Sequence, residues 1–135
     1  MPPEGAVLVA IRNPRNQALD LEGWRDVLHV EFHDIDAPFG NFTMLGFRQA
    51  LQIVEFINRH ERAAMIAAHC DYGVSRSGAV AAFAGQVLGA ALEKEAEGKN
   101  RLVYRRLMLA QAVYRLKAMD VAGVARALQL LVRKT

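Results

Sequence analysis

The sequence predicts an α/β protein with a central, mainly parallel sheet of about four strands flanked by helices. Three short apolar runs have the length and composition of buried strands, at residues 6–11, 27–32 and 63–68. Longer segments with helical periodicity follow the second and third runs. Because strands that alternate with helices build parallel sheets, this order favours a layered α/β architecture.

The 135 residues, 53% of them hydrophobic, are enough for one domain spanning residues 1–135. We expect the strands and the polar loop that follows the third of them within residues 6–92, and C-terminal helices within 99–134. The single cysteine excludes an internal disulfide and suits a reducing compartment. No basic segment precedes an apolar run at the start, and residues 77–92 are too short to span a membrane. We therefore expect a cytoplasmic protein without a membrane partner.

Three helices are predicted outside the central loop. Thr43 is expected to cap a helix over residues 44–60, with one apolar face made of Phe47, Leu51, Val54 and Ile57. Asn100 is expected to cap a helix that reaches about Met119, with an inner face made of Val103, Leu107, Ala110 and Tyr114. Asp120 is expected to cap the last helix, whose apolar face is Val121, Val124, Leu128 and Leu131.

The segment around which the chain is organised is residues 69–78, HCDYGVSRSG. An apolar run precedes it and another follows it at residues 79–92, so it is predicted to be a tight polar loop between a strand and a helix. Free backbone N–H groups and the positive end of the helix dipole converge on such a loop. The loop is therefore predicted to bind an anion.

The residues of this loop suit phosphate chemistry. Cys70, at a helix N-terminus near an arginine, is expected to have a lowered pKa and to act as a thiolate nucleophile. The planar guanidinium of Arg76 fits two phosphoryl oxygens at once, and Ser77 can donate a hydrogen bond to the Cys70 sulfur. His69 is expected to orient the loop through ring hydrogen bonds. The expected phosphate-binding positions are Asp71, Tyr72, Gly73, Val74, Ser75 and Arg76.

The pattern His69-Cys70-x-x-Gly73-x-x-Arg76-Ser77 resembles the signature loop of the cysteine-dependent protein tyrosine phosphatases. It is most similar to the small dual-specificity-like members of bacteria and phages. The resemblance implies the phosphotyrosine protein phosphatase II type of fold and hydrolysis of phosphomonoesters through a phosphocysteine. It also implies a phosphorylated protein or peptide as substrate, with phosphotyrosine ahead of phosphoserine and phosphothreonine.

This mechanism needs a general acid to protonate the leaving oxygen. The family carries it on a loop some thirty residues before the cysteine, which here leaves Asp34 and Asp36. The Trp-Pro-Asp form of that loop is absent, but Phe32-His33-Asp34 resembles the Phe-x-Asp of small members. Asp34 is therefore preferred, with Asp36 as the alternative. Asp71 is expected to point outward and make the pocket rim acidic.

No cofactor is expected, because the histidines, cysteine and carboxylates show no zinc-site spacing. Residues 98–135 hold nine of the 17 basic and one of the 14 acidic residues, a local net charge of +8. We interpret this as the solvated face of helices rather than a nucleic-acid site, since no aromatic residues are interleaved with the charges. Two alternatives remain open: a phosphate- or phosphoprotein-binding module without turnover, and an RNA 5′-phosphatase that uses Arg105 and Arg106.

Overall fold

The computed structural model of this chain describes residues 2–14, 21–71, 74–93 and 98–118, together with positions 123, 126 and 129. Its strands are β1 (Val7–Arg12), β2 (Asp26–Glu31) and β3 (Ile66–Cys70). They form a parallel sheet in the order β2-β1-β3. The predicted α/β class and parallel sheet are confirmed, with three strands in the described part of the chain instead of about four.

The central position of β1 follows from its composition. Every residue from Ala6 to Ile11 is apolar and at most 4% exposed, as a strand with a parallel neighbour on each side requires. The parallel register aligns Ile11 of β1 with Cys70 of β3 and with Val30 of β2. All three strands therefore end at the same edge of the sheet, where ligands of open α/β sheets bind.

The third strand lies nearer to Cys70 than predicted. Residues 60–63 form a turn after the preceding helix, in which the Ala63 N–H donates to the His60 carbonyl oxygen. Strand pairing starts only where the Val7 N–H donates to the Met65 carbonyl oxygen, at 3.0 Å. The strand therefore extends to Cys70 itself, and this residue is held by the sheet rather than by the loop.

Helix α1 (Phe47–Arg59) starts later than predicted, and Thr43 does not cap it. The Thr43 backbone pairs with His33 instead: its N–H donates to His33 Nδ1 at 2.9 Å, and its carbonyl accepts from the His33 N–H at 2.7 Å. Gly46 is the N-cap, and Gln49 Oε1 accepts its N–H at 3.1 Å. The predicted apolar face is correct at Val54 and Ile57 but wrong at Phe47, which is 45% exposed. The observed buried face consists of Ala50, Ile53, Val54, Phe56 and Ile57.

The other two helices are α2 (Ser75–Leu88) and α3 (Arg101–Ala118). α2 ends where Gly89 takes a left-handed conformation, φ 65°, which a glycine adopts without strain. The predicted cap of α3 is confirmed, because Asn100 Oδ1 accepts the Val103 N–H at 3.1 Å. Its predicted inner face is also confirmed, with Tyr114 only partly buried. For the predicted last helix, the described positions 123, 126 and 129 are helical, whereas its predicted cap and apolar face lie outside the described residues: Asp120, Val121, Val124, Leu128 and Leu131.

The three described helices share one core with the sheet. α3 packs against both α1 and α2, and the core includes Val7, Val9 and Ile11 of β1. A polar contact joins the end of α1 to the start of β2: His60 lies 2.9 Å from Asp26 through Nε2 and Oδ2. This hydrogen bond is the main reason that the pKa of Asp26 lies below its usual 3.8. None of the described helices combines the length and apolarity needed to cross a membrane.

Candidate active site

Cys70 lies at the carboxyl end of β3, under the first turn of α2. Its side chain is 1% exposed. The thiol donates to Ser77 Oγ at 3.2 Å, and the Ser77 backbone N–H lies 3.4 Å from Sγ. Ser77 is the third residue of α2, so its N–H is one of those that have no partner within a helix. The sulfur therefore contacts both the Ser77 hydroxyl and a helix N–H, but the hydroxyl accepts here and does not donate as the sequence predicts.

Arg76 is fully buried at the same edge of the sheet. Its Nη1 donates to the Phe32 carbonyl oxygen at 2.6 Å and to Asn13 Oδ1 at 2.7 Å. Asn13 follows β1 and Phe32 follows β2, so the guanidinium is fixed across the ends of both strands. Nη1 carries only two hydrogens, and these two acceptors use both of them.

The other two guanidinium nitrogens of Arg76 have no partner among the described residues. Nε and Nη2 are buried and make no hydrogen bond to any described residue. These atoms form one edge of the planar group, with parallel N–H bonds that match two oxygens of a phosphate or carboxylate. A buried charge without partners is costly. An oxyanion is the ligand that would satisfy this edge.

Asp71 does not point outward as predicted. Its Oδ1 accepts from Arg12 Nε at 2.8 Å, its Oδ2 accepts the Asn13 N–H at 2.7 Å, and its side chain is only 15% exposed. The carboxylate is thus turned toward the end of β1 and paired with a cation there. The prediction of an acidic rim at Asp71 is therefore wrong. The same carboxylate fixes Asn13, whose side-chain oxygen accepts a hydrogen bond from Arg76.

The rest of the loop is described in part. Val74 is 57% exposed and lies just before α2 in a non-helical conformation. Ser75 is the first residue of the helix. Tyr72 and Gly73, two of the predicted phosphate-binding positions, lie outside the described residues.

Asp34, the preferred acid, is connected to the loop. Its Oδ1 accepts from Ser75 Oγ at 3.0 Å and from Asn100 Nδ2 at 2.8 Å. Asp36, the alternative, is exposed and makes no hydrogen bond to any described residue. The fold therefore brings Asp34, and not Asp36, into contact with the residue that begins α2.

Asn100 is a site residue that the sequence reasoning treated only as a helix cap. It is 6% exposed. Its amide nitrogen donates to Asp34 Oδ1 and, at 3.1 Å, to the Ile35 carbonyl oxygen, while its backbone N–H donates to the Ser75 carbonyl oxygen at 3.0 Å. A capping asparagine uses only its oxygen for the helix, so its unassigned amide hydrogens were the signal of a second role.

His69 does not make the predicted ring hydrogen bonds with the described residues, and its side chain is exposed. The histidine that does make such contacts is His33, in the segment after β2 that carries Asp34. Its Nδ1 accepts the Thr43 N–H, and its ring stacks on Phe42 with 4.5 Å between centroids. Histidine contacts thus stabilise the segment after β2 and not the cysteine loop.

A cavity of about 570 Å³ adjoins this cluster. Its walls come from the segment after β2, from Ser75 and from the start of α3, and the lining residues are Asp34, Ile35, Asp36, Ala37, Pro38, Phe39, Ser75, Gly98, Lys99, Asn100 and Arg101. Asp34 and Ser75, which are hydrogen-bonded to each other, both line this cavity. Among the described residues, no three histidine, cysteine or carboxylate side chains are grouped in a way that could hold a metal ion.

No protein-family model and no curated protein matches the sequence. A solved structure that matches is that of Tk-PTP, described as a crystal structure in the active form. The two chains are 20% identical, and the match covers 98% of this chain and 81% of the other with a TM-score of 0.42.

Proposed function

We propose that this chain is a metal-independent cysteine phosphatase that hydrolyses phosphomonoesters through a phosphocysteine. The observation that carries the proposal is the open edge of Arg76: a fully buried guanidinium with Nε and Nη2 unpartnered among the described residues. It shares the carboxyl edge of the sheet with a thiol held under a helix N-terminus. An anion-binding cation beside a nucleophile is what phosphoryl transfer to sulfur requires.

The proposed reaction has two steps. The Cys70 thiolate attacks phosphorus and forms the S–P bond, while the P–O ester bond breaks and Asp34 gives its proton to the leaving oxygen. Water then attacks the phosphocysteine, Asp34 takes a proton from that water, and the S–P bond breaks. Arg76 holds the phosphoryl oxygens in both steps, with backbone N–H groups of residues 71–76. The Ser77 hydroxyl, which accepts from the thiol in this structure, rotates to donate to the departing thiolate.

The proposed substrate is a phosphorylated protein or peptide, with phosphotyrosine preferred and dual specificity retained. The cavity beside Asp34 and Ser75 gives the leaving side chain and its flanking residues a place to lie. The described loop residue Asp71 is paired with Arg12, so the open edge of Arg76 is left to bind the phosphoryl group. The small, dual-specificity-like type of phosphatase follows from the sequence resemblance and is part of the same proposal.

An RNA 5′-phosphate is not proposed as the substrate. Arg106, one of the two arginines of that alternative, donates to the Leu45 carbonyl oxygen and is half-buried. It holds the start of α1 against α3. Reversing its charge would disturb this packing, so a test of RNA binding has to use Arg105 and not Arg106.

The test is hydrolysis of p-nitrophenyl phosphate by wild type and Cys70→Ser, with a chelator and a reducing agent present. We expect turnover in the wild type and none in the variant. Because Cys70 is the only cysteine, iodoacetamide gives a second check: one alkylation event should remove all activity. A folded, reduced wild type that binds a phosphotyrosine peptide without hydrolysing it would instead identify a binding module and would refute the proposed activity.

A further inference from the structure

The two oxygens of Asp34 have different surroundings. Oδ1 accepts two hydrogen bonds, from Asn100 Nδ2 at 2.8 Å and from Ser75 Oγ at 3.0 Å. Oδ2 makes no hydrogen bond to any described residue. An oxygen that accepts two hydrogen bonds behaves as the carbonyl oxygen of a carboxylic acid, so the proton of the acid form resides on the other oxygen. The contacts thus define which oxygen carries the proton and in which direction it lies.

Asn100 is well placed to hold this arrangement. It is buried, and all of its polar groups are used: the oxygen caps α3, the amide bonds Asp34 and Ile35, and the backbone N–H bonds Ser75. The side chain of Asp34 is itself exposed. Without the amide, an exposed carboxyl group would rotate among several orientations.

We propose that Asn100 is the positioning residue of the general acid. Its amide fixes Asp34 Oδ1, so that the Oδ2 proton is directed at the leaving oxygen as the P–O bond breaks. This inference rests on the proposed phosphatase function and assigns to that site a residue thirty positions after Cys70. Ser75 provides the second hydrogen bond to the same oxygen.

The experiment separates positioning from helix capping. Asn100→Ser and Asn100→Asp both retain an N-cap oxygen for α3, but neither provides the amide donor. Each variant is assayed on phenyl phosphate, whose strongly basic phenolate needs a proton to leave, and on dinitrophenyl phosphate, whose weakly basic anion does not. Asn58→Ser is the matched control, because Asn58 is a half-buried asparagine whose amide is likewise hydrogen-bonded, to Gln111 at 2.7 Å, and it lies outside the site.

We expect kcat/KM on phenyl phosphate to fall roughly 10- to 100-fold in both Asn100 variants. This is less than the roughly 100- to 10,000-fold that a general acid contributes, because Asp34 itself is retained. On dinitrophenyl phosphate the change in kcat/KM, which reports the steps up to P–O bond cleavage, should stay below about threefold, since this leaving group departs without a proton. In an Asp34→Ala background, Asn100→Ser should cause no further loss, because both changes remove the same effect. Asn58→Ser should leave the ratio of the two substrates unchanged.

Three results would overturn the inference while leaving the phosphatase assignment intact. They are equal losses on both substrates, no loss on either, or an additional loss in the Asp34→Ala background. If Asn100→Ser fails to fold, Asn100→Asp, which has nearly the same size, and Ser75→Ala give the same comparison, with a smaller loss expected for Ser75→Ala. A wild type without turnover on either substrate would overturn the proposed function and this inference together.

Discussion

Arg76 Nη1 donates to the carbonyl oxygen of Phe32 at 2.6 Å, so a residue of α2 is fixed to the chain that leaves β2. Phe32 is fully buried and its own N–H donates to the Arg12 carbonyl oxygen at 3.1 Å. The acceptor is thus part of the rigid edge of the sheet. This contact orients the guanidinium before any ligand arrives, and an oriented donor needs no rearrangement when charge develops on a phosphoryl group.

The first prediction concerns the open edge of Arg76. Inorganic phosphate should raise the Tm of the wild type relative to chloride at matched ionic strength, since a ligand that binds only the folded state stabilises it. Arg76→Lys should largely remove this rise, because an ammonium cannot offer two parallel N–H bonds. Thermal unfolding over a phosphate titration measures both.

The control for this titration is Arg25→Lys. Arg25 is exposed and lies just before β2, at the opposite edge of the sheet. Its variant should keep the full response to phosphate. A response to phosphate that is equal in wild type and Arg76→Lys would mean that the anion binds elsewhere.

The second prediction concerns Ser77 and the breakdown of the phosphocysteine. A hydrogen bond to a charged group contributes about 1.5–3 kcal/mol, which corresponds to roughly 10- to 100-fold in rate. Ser77→Ala should therefore slow the release of the thiolate and turn this step into the slowest one. Rapid-quench assays with p-nitrophenyl phosphate should then show a burst of nitrophenol close to one per enzyme. Slow turnover without a burst would place the role of Ser77 in the first step.

Local patterns predicted the parts of this structure that depend on neighbouring residues. The strands, the turn from β3 into α2, the proximity of Cys70 to Ser77 and the capping of α3 by Asn100 all follow from composition and spacing over a few residues. The contact of Ser77 with Cys70 spans seven residues and arises from the first turn of one helix. Such features can be predicted from a sequence because strand and helix geometry determine them.

Contacts between distant segments could not be predicted in the same way. The pair of Arg12 and Asp71 spans 59 residues and that of Asn100 and Asp34 spans 66. Each depends on the register of the sheet and on how α3 returns to its edge. The late start of α1 has the same origin, because Thr43 is a good cap by type but its backbone is taken by His33. Local propensity gives way where a tertiary contact competes for the same group.

The third prediction tests the structural role of Asp71. Asp71→Asn should lower the free energy of unfolding by about 1–3 kcal/mol, because it weakens hydrogen bonds to a charged and largely buried partner. Urea denaturation measures this. Asp36→Asn is the matched control: that carboxylate is exposed and bonds no described residue, so its change should stay within about 0.5 kcal/mol. Equal stabilities for wild type and Asp71→Asn would show that the pair with Arg12 contributes nothing net.

The fourth prediction concerns acid stability. The hydrogen bond from His60 holds the pKa of Asp26 below its usual 3.8, so the unfolded chain binds the proton more tightly than the folded one. The contribution of Asp26 to stability is therefore fully present above about pH 4 and is lost as pH falls through the lowered folded pKa.

Because the Asp26 side chain is 43% exposed, we expect this contribution to be below about 1 kcal/mol. Urea denaturation of wild type and Asp26→Asn between neutral and acid pH should give curves that converge as the pH falls. Glu55→Gln, which changes an exposed carboxylate on α1, serves as the control, and its effect on the free energy of unfolding should stay within about 0.5 kcal/mol. A constant difference between wild type and Asp26→Asn down to the lowest pH would mean that the His60 contact stabilises the fold independently of the Asp26 charge.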